Sequence, residues 1–112
     1  MMVVKTQEII VYSDTNGKQP FVKWLNSLSS IIRTRIQQRI LRLSVGNFGD
    51  FKFLAEGIYE LRLDFGPGYR VYFGKDGNTI VVLINGGDKG TQNKDINAAK
   101  KYWQDYLENK ND

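Results

Sequence analysis

Residues 57–89 constrain the fold of this chain more than any other part of its sequence. They contain three runs rich in aromatic and β-branched residues, which are typical of β-strands. The runs are separated by Gly66-Pro67-Gly68 and by Asp76-Gly77-Asn78, and both segments have the residues that tight turns require. Loops this short join antiparallel neighbours. We therefore predict three consecutive antiparallel strands, over residues 58–65, 69–73 and 79–85.

Alternation within the first two predicted strands places basic residues on one polar face of the sheet. Arg62 alternates with apolar residues in the first strand, as Arg70 and Tyr72 do in the second. If the Gly-Pro-Gly segment is a three-residue loop, Asp64 lies opposite Arg70 and Arg62 lies opposite Tyr72, so the two arginines are within about 8 Å of each other. Residues 80–84 of the third run are all apolar, as expected of a central strand covered on both faces, and Lys89 follows the end of this run. We expect Arg62, Arg70 and Lys89 to converge on one region.

The rest of the chain adds two strands and three helices to this core. Periodicity and capping residues predict a strand over 3–12, a helix beginning near Pro20, a helix over about 30–45, a short strand near 51–55 and a last helix over about 93–109. The order β-α-α-β-β-β-β-α predicts an α+β fold with an antiparallel-rich sheet, two helices after the first strand and one C-terminal helix. We expect residues 1–112 to form a single domain.

Composition limits the chemistry available to the chain. It has no cysteine and no histidine, so we expect no disulfide, no thiolate nucleophile, no metal site and no cofactor. No run approaches the length of a membrane span and no signal peptide is recognised, so we expect a soluble, cytoplasmic protein with no membrane partner. The formal net charge is +4, which fits either a solvated mixed-charge surface or an acidic partner.

Three arginines of the second predicted helix, Arg35, Arg39 and Arg42, recur on one face. No acidic residue lies between positions 29 and 49, so no pairing within the helix neutralises them. Two interpretations of this helix face remain: it is solvated, or it contacts nucleic-acid phosphate. Lys52 likewise is either an edge-strand lysine that guards against edge pairing or a basic contact.

The role of the arginines and lysine of the sheet face also has two interpretations. Arginine presents a planar fork to phosphate oxygens and lysine presents a point charge, so Arg62, Arg70 and Lys89 suit a phosphate ester. Alternatively, the two arginines only pair with Glu60 and Asp64 across the hairpin, which contributes less than about 1 kcal/mol if the pairs are exposed.

Three segments together resemble the HigB-type branch of the RelE/ParE toxin superfamily, often called "addiction module killer protein". They are G-I-Y-E-L-R-L-D-F-G-P-G-Y-R-V-Y-F at 57–73, N-G-G-D-K-G-T-Q-N-K-D-I at 85–96 and the Lys-Tyr-Trp-X-X-Tyr ending at 101–106. The resemblance implies a small RelE-like fold and the toxin of a bacterial type II toxin–antitoxin module. It implies a ribosome-dependent endoribonuclease, an mRNA interferase that cuts by metal-independent attack of a ribose 2′-hydroxyl on the adjacent phosphate.

The resemblance also implies partners and residue roles. The partners are mRNA, the ribosome with its rRNA, and a cognate antitoxin of helix-turn-helix type, with operator DNA bound only through the antitoxin. Arg62, Arg70 and Lys89 match basic positions around the scissile phosphate. The positions for RNA or ribosome contact are Lys52, Lys94, Arg35, Arg39, Arg42, Tyr72 and Tyr102, with Tyr106 as the alternative C-terminal tyrosine. The missing histidine leaves the general acid and base open.

Two other functions fit the same scaffold. One is a ParE-like toxin that poisons DNA gyrase without RNA chemistry, against which the retained basic residues argue. The other is a non-toxic interaction module.

Overall fold

A computed structural model describes residues 6–110 of the chain. Positions 3–5 of the predicted first strand lie outside the described residues. The elements in chain order are β1 (Glu8–Val11), α1 (Pro20–Asn26), α2 (Ser30–Ser44), β2 (Phe51–Ala55), β3 (Ile58–Arg62), β4 (Arg70–Asp76), β5 (Ile80–Gly87), a 3-10 turn (Lys89–Thr91) and α3 (Gln92–Asn109). This order confirms the predicted α+β architecture.

The five strands form one mixed sheet in the order β1-β5-β4-β3-β2. β1 runs parallel to β5, and the other neighbours are antiparallel. β5 lies inside the sheet and is buried along residues 81–87, as its uninterrupted apolar sequence predicts.

Helices cover both faces of the sheet. Phe21 and Leu25 of α1 pack with Ile36 and Leu43 of α2 in one hydrophobic cluster, which includes Val81 of β5. A second cluster joins α3 to the opposite face. Its members are Tyr12, Ile58, Tyr72, Val82, Ile84, Ala99 and Trp103. The two layers follow from the alternation of β5, whose successive side chains enter different clusters.

Local signals explain where the helices begin. Pro20 occupies the first turn of α1, where its missing N–H costs nothing. The Ser29 hydroxyl accepts a hydrogen bond from the Ile32 N–H at 3.4 Å and caps α2. Asp88 caps the turn before α3 by accepting from the Gly90 N–H at 2.7 Å.

The predicted register of the β3–β4 hairpin is wrong by two residues. Arg62 lies opposite Arg70 rather than opposite Tyr72, and the Leu63 N–H donates to the Tyr69 carbonyl at 3.0 Å. The loop therefore spans residues 64–68, and within it the ring of Phe65 packs against that of Tyr69 in a tilted pair. A shift of two residues keeps every side chain on its predicted face.

The second difference concerns the face that carries the arginines. We predicted a polar face, but α3 covers much of it, and both Glu60 and Tyr72 are 0% exposed. Tyr72 lies on the predicted face but is buried there, so it has no exposed surface for the RNA or ribosome contact that the resemblance implies.

Candidate active site

A buried carboxylate organises the two arginines of the sheet. Glu60 accepts a hydrogen bond from Arg62 Nε at 3.0 Å and from Gln92 Nε2, at the start of α3, at 2.6 Å. Arg70 Nε lies 3.8 Å from the same carboxylate oxygen that Arg62 contacts. A buried carboxylate requires such partners, since an unpaired charge in the interior is costly. The three neighbours hold Glu60 and, through it, fix both guanidinium groups.

The two arginines differ in exposure, although they face each other across the hairpin. The side chain of Arg62 is 37% exposed and that of Arg70 is 14% exposed. Arg70 Nη1 also donates to the Tyr69 carbonyl at 3.2 Å, whereas its buried Nε makes no hydrogen bond within residues 6–110. Arg70 is therefore the more buried cation of the pair, whereas Arg62 makes the closer contact with Glu60.

Lys89 joins the arginines at one open pocket. The pocket has a volume of about 600 Å³, and we call it the hairpin pocket. Its lining residues are Asp50, Arg62, Leu63, Asp64, Gly66, Pro67, Gly68, Arg70 and Lys89. The Lys89 N–H donates to the Pro67 carbonyl at 3.4 Å, so the turn after β5 is attached to the hairpin loop. The structure thus brings together the three residues that the sequence placed on one region.

The arginines of α2 line a second groove that adjoins the hairpin pocket. We call it the α2 groove, and its volume is about 390 Å³. Its lining residues are Arg35, Gln38, Arg39, Arg42, Asp50, Arg62, Leu63, Asp64 and Phe65. Arg62 and three of its neighbours belong to both cavities. The sequence showed the run of helical arginines but not that it lies beside the sheet arginines.

The remaining candidate residues, basic and aromatic, do not line the hairpin pocket. Lys52 is exposed on the edge strand β2, opposite Glu60 in the register. Lys94 and Tyr102 line a separate cavity along α3, and the ring of Tyr102 packs at a tilt against that of Tyr12, with centroids 5.3 Å apart. Tyr106 donates to Asp76 at 2.7 Å, at the far end of α3 from Gln92.

Tyr72 lies in the interior, near Glu60. Burial is the main cause that raises the pKa of its phenol, and the negative charges of Glu60 and Asp95 raise it further. Its hydroxyl makes no hydrogen bond within the described part of the chain. Tyr72 is therefore neutral at physiological pH and poorly suited to accept a proton.

Sequence reasoning missed two members of this site. It treated Glu60 as a surface partner of the arginines, and it gave Gln92 no role. The signal for Glu60 was present in its alternation with apolar residues on a sheet flanked by helices on both sides. Gln92 carried no comparable signal, since its contact depends on where α3 begins.

Two further observations concern the described residues only. Among residues 6–110, no group of three or more acidic side chains is placed to hold a metal ion. Over the same residues, no helix combines the length and the apolarity that crossing a membrane requires.

Fold and site together define a small α+β protein of the RelE-like type, with a basic pocket at one end of its sheet. The profile of the family described as "Phage derived protein Gp49-like (DUF891)" matches residues 23–104. The chain belongs to this family, which is associated with toxin–antitoxin modules. An uncharacterised protein of Haemophilus influenzae (strain ATCC 51907 / DSM 11121 / KW20 / Rd) is 49% identical over 81 residues, which cover 71% of this chain and 82% of that protein. Residues 23–104, which the family profile matches, include the lining of both cavities.

Proposed function

We propose that this protein is the toxin of a type II toxin–antitoxin module and acts in the cytoplasm as a ribosome-dependent endoribonuclease. The observation that carries the proposal is the fixed pair of arginines beside Lys89. Glu60 holds Arg62 and Arg70 at an open pocket, and Lys89 adds a third positive charge at its rim. Such an arrangement suits one phosphate of an RNA strand.

The proposed reaction is an intramolecular transesterification. The ribose 2′-hydroxyl loses its proton as its oxygen attacks the adjacent phosphorus, the bond from phosphorus to the 5′-oxygen of the next nucleotide breaks, and that oxygen takes up a proton. The products therefore carry a 2′,3′-cyclic phosphate and a 5′-hydroxyl. Negative charge accumulates on the phosphoryl oxygens in the transition state, and Arg62, Arg70 and Lys89 are the groups that stabilise it. In this scheme Glu60 touches no substrate and acts as a positioning residue.

Charge stabilisation is the main contribution that we assign to the protein. The sequence has no histidine, and the raised pKa of Tyr72 makes it a poor general base. Loss of one preorganised donor at such a site typically costs about 3–4 kcal/mol of transition-state stabilisation. Removal of a single cation should therefore reduce cleavage several hundredfold.

The proposal extends to the partners. The substrate is mRNA on the ribosome, with rRNA as a further contact. A cognate antitoxin, of helix-turn-helix type, would neutralise the toxin and would provide its only link to operator DNA. Lys52, Lys94 and Tyr102 are assigned to these wider contacts, because they are partly or fully exposed outside the hairpin pocket.

The test is induced expression without antitoxin, with growth and the 5′ ends of abundant messages as readouts. Wild-type protein should arrest growth and create new 5′ ends within translated regions. Arg70→Ala and Lys89→Ala should abolish both effects, while Lys100→Ala, which removes an exposed lysine of α3, should retain them. Lys89 is also exposed, so its loss should not affect folding.

Two other outcomes would reject the ribonuclease. Growth arrest with intact messages and induced DNA-damage signalling would indicate a gyrase poison. No growth effect from soluble, folded wild-type protein would indicate a non-toxic interaction module.

A further inference from the structure

The α2 groove carries positive charge that the proposed reaction does not use. Four arginines line it, against the carboxylates of Asp50 and Asp64. Among these arginines, only Arg62 also contributes to the hairpin pocket. The three arginines of α2 therefore require their own explanation.

Arg39 is held in the groove by the loop that follows α2. One terminal guanidinium nitrogen, Nη2, donates to the Phe48 carbonyl. Gly49 has a φ of +62°, and a Cβ at this position would collide with the Arg39 guanidinium, so glycine is needed on both grounds. The sequence of the loop thus accommodates the arginine.

A second nitrogen of the same guanidinium has no hydrogen-bond partner in the part of the chain that the structure describes. Arg39 Nη1 is buried and makes no hydrogen bond within residues 6–110. Burial is the main cause that lowers the pKa of Arg39, the neighbouring charge of Arg42 lowers it further, and Asp50 opposes both. Buried unpaired donors are costly and rare, so keeping Arg39 in the wall of the groove has a cost in stability.

Arg35 is oriented from the other side of the groove. Its guanidinium carbon lies 3.8 Å from the centre of the Phe65 ring, in the hairpin loop. A cation stacked on an aromatic face keeps its planar fork in a defined orientation. The hairpin loop therefore borders both cavities and orients a cation in the α2 groove.

The two cavities adjoin each other. They share Asp50, Arg62, Leu63 and Asp64, so a chain of phosphates that occupies one must pass Arg62 to reach the other. An RNA strand carries an anionic phosphate at every nucleotide, so one strand supplies phosphates to both cavities, and arginine forks match phosphate geometry. The carboxylates of an acidic peptide would also pair with arginine forks, so the test below includes such a peptide.

We infer that the α2 groove is a second phosphate-binding subsite, which holds the RNA strand next to the phosphate in the hairpin pocket. The inference rests on the proposed ribonuclease function. It assigns Arg35, Arg39 and Arg42 to the substrate strand rather than to ribosomal RNA. Its consequence is that binding strengthens when the strand is long enough to reach both cavities.

The test measures fluorescence anisotropy with labelled 2′-O-methyl RNA, in which the attacking oxygen is blocked. A dinucleotide with one phosphate is compared with a hexanucleotide. The test variant is the double substitution Arg35→Gln and Arg42→Gln, which avoids Arg39 and its contact with the loop. The control is Lys23→Gln with Lys100→Gln, which removes the same net charge from exposed positions on α1 and α3.

Wild-type and control proteins should bind the hexanucleotide more tightly than the dinucleotide. The arginine variant should bind the hexanucleotide at least about tenfold more weakly than the control and bind the dinucleotide equally well. The dependence of log affinity on log salt should become less steep by about 1.4, because each of the two lost phosphate contacts contributes about 0.7 to the slope. Circular dichroism establishes that both variants are folded.

Equal losses of hexanucleotide affinity in the arginine variant and the control would overturn the subsite. It would also be overturned if wild-type protein bound the hexanucleotide no more tightly than the dinucleotide. If a polyglutamate hexapeptide binds more tightly than RNA, and if the arginine variant loses this binding, the groove is assigned to a protein partner instead. Length-dependent binding by wild-type protein that never cuts ribosome-bound messages would leave the subsite standing and reject the ribonuclease.

Discussion

Glu60 has no exposed surface, and its polar neighbours come from three different elements. Arg62 belongs to β3, Arg70 to β4 and Gln92 to α3. Because one carboxylate connects all three, the geometry of the arginines depends on the packing of α3 against the sheet. We therefore expect Glu60 to affect stability and cleavage together.

Glu60→Gln removes the charge and keeps the size of the side chain. Arg62 and Arg70 then lie beside a buried side chain that has no negative charge. Breaking a buried ion pair by removing one partner typically costs about 3–5 kcal/mol of stability. Since Arg62 is partly exposed and can be hydrated, we expect a loss near the lower limit, about 3 kcal/mol in the free energy of unfolding. Urea denaturation measures it.

Glu56→Gln is the matched control for this variant, since Glu56 is exposed in the turn before β3. It should change the free energy of unfolding by less than about 0.5 kcal/mol. Equal stability of the two variants would show that Glu60 does not hold the arginines.

Tyr72→Phe tests the second buried polar group of the site. The substitution removes a hydroxyl that makes no hydrogen bond within the described residues, so stability should stay the same or rise by about 1 kcal/mol. Cleavage should stay within about threefold of wild type, since no proton transfer is assigned to this phenol. A loss of cleavage by a hundredfold in a folded variant would show that Tyr72 takes part in the chemistry.

The alternation of the two hairpin strands was predictable from sequence, but the surroundings of these residues were not. Period-two patterning gave the correct face for Arg62 and Arg70. The register differed by two residues because the Gly-Pro-Gly segment allows more than one loop length, and no local pattern distinguishes a loop over 66–68 from one over 64–68. The burial of Glu60 depends on α3, which arrives from the far end of the chain.

The C-terminal half of α3 is fastened to the end of β4 by a second polar contact. Tyr106 donates to Asp76 at 2.7 Å, and Lys110 contacts the other oxygen of this carboxylate at 2.9 Å. These two hydrogen bonds hold the pKa of Asp76 below its usual range, with that of Lys110 the larger cause. Burial and the hydrogen bond to Asp76 raise the pKa of Tyr106 to about 12.

Tyr106→Phe should lower the free energy of unfolding by about 1 kcal/mol near neutral pH, the usual contribution of one hydrogen bond. The pKa of the phenol is higher in the folded than in the unfolded state, so its contribution is complete below about pH 10. It should be lost as pH rises from there to about 12. Urea titrations of both proteins across this range measure the change.

The expected result is that wild type and Tyr106→Phe become equally stable at the alkaline end. A difference in stability that does not change between pH 8 and pH 12 would show that the phenol does not titrate with folding.

The elements themselves were largely predictable, because each carries a local signal. Pro20, Ser29 and the apolar periodicity located the helices, and the residues of β2 were placed as observed. The placement of α2 beside the hairpin loop was not predictable. It depends on contacts such as that of Arg35 with Phe65, between residues far apart in the sequence.

The distribution of charge over the molecule is more informative than its sum. A net charge of +4 fits many proteins, yet the hairpin pocket and the α2 groove together contain six basic residues, Arg35, Arg39, Arg42, Arg62, Arg70 and Lys89. Composition shows the excess but not its location. Only the fold places the helical and the sheet arginines on one continuous surface.

The measurement that bears most directly on this account is the chemistry of the cleaved ends. Purified protein is added to ribosomes programmed with a defined message, and the termini of the products are identified. Wild-type protein should give a 5′-hydroxyl and a 2′,3′-cyclic phosphate, and Arg70→Ala should give neither. Products with 5′-phosphate ends, equal cleavage by Arg70→Ala, or an intact message with wild-type protein would contradict the assignment of the hairpin pocket to RNA cleavage.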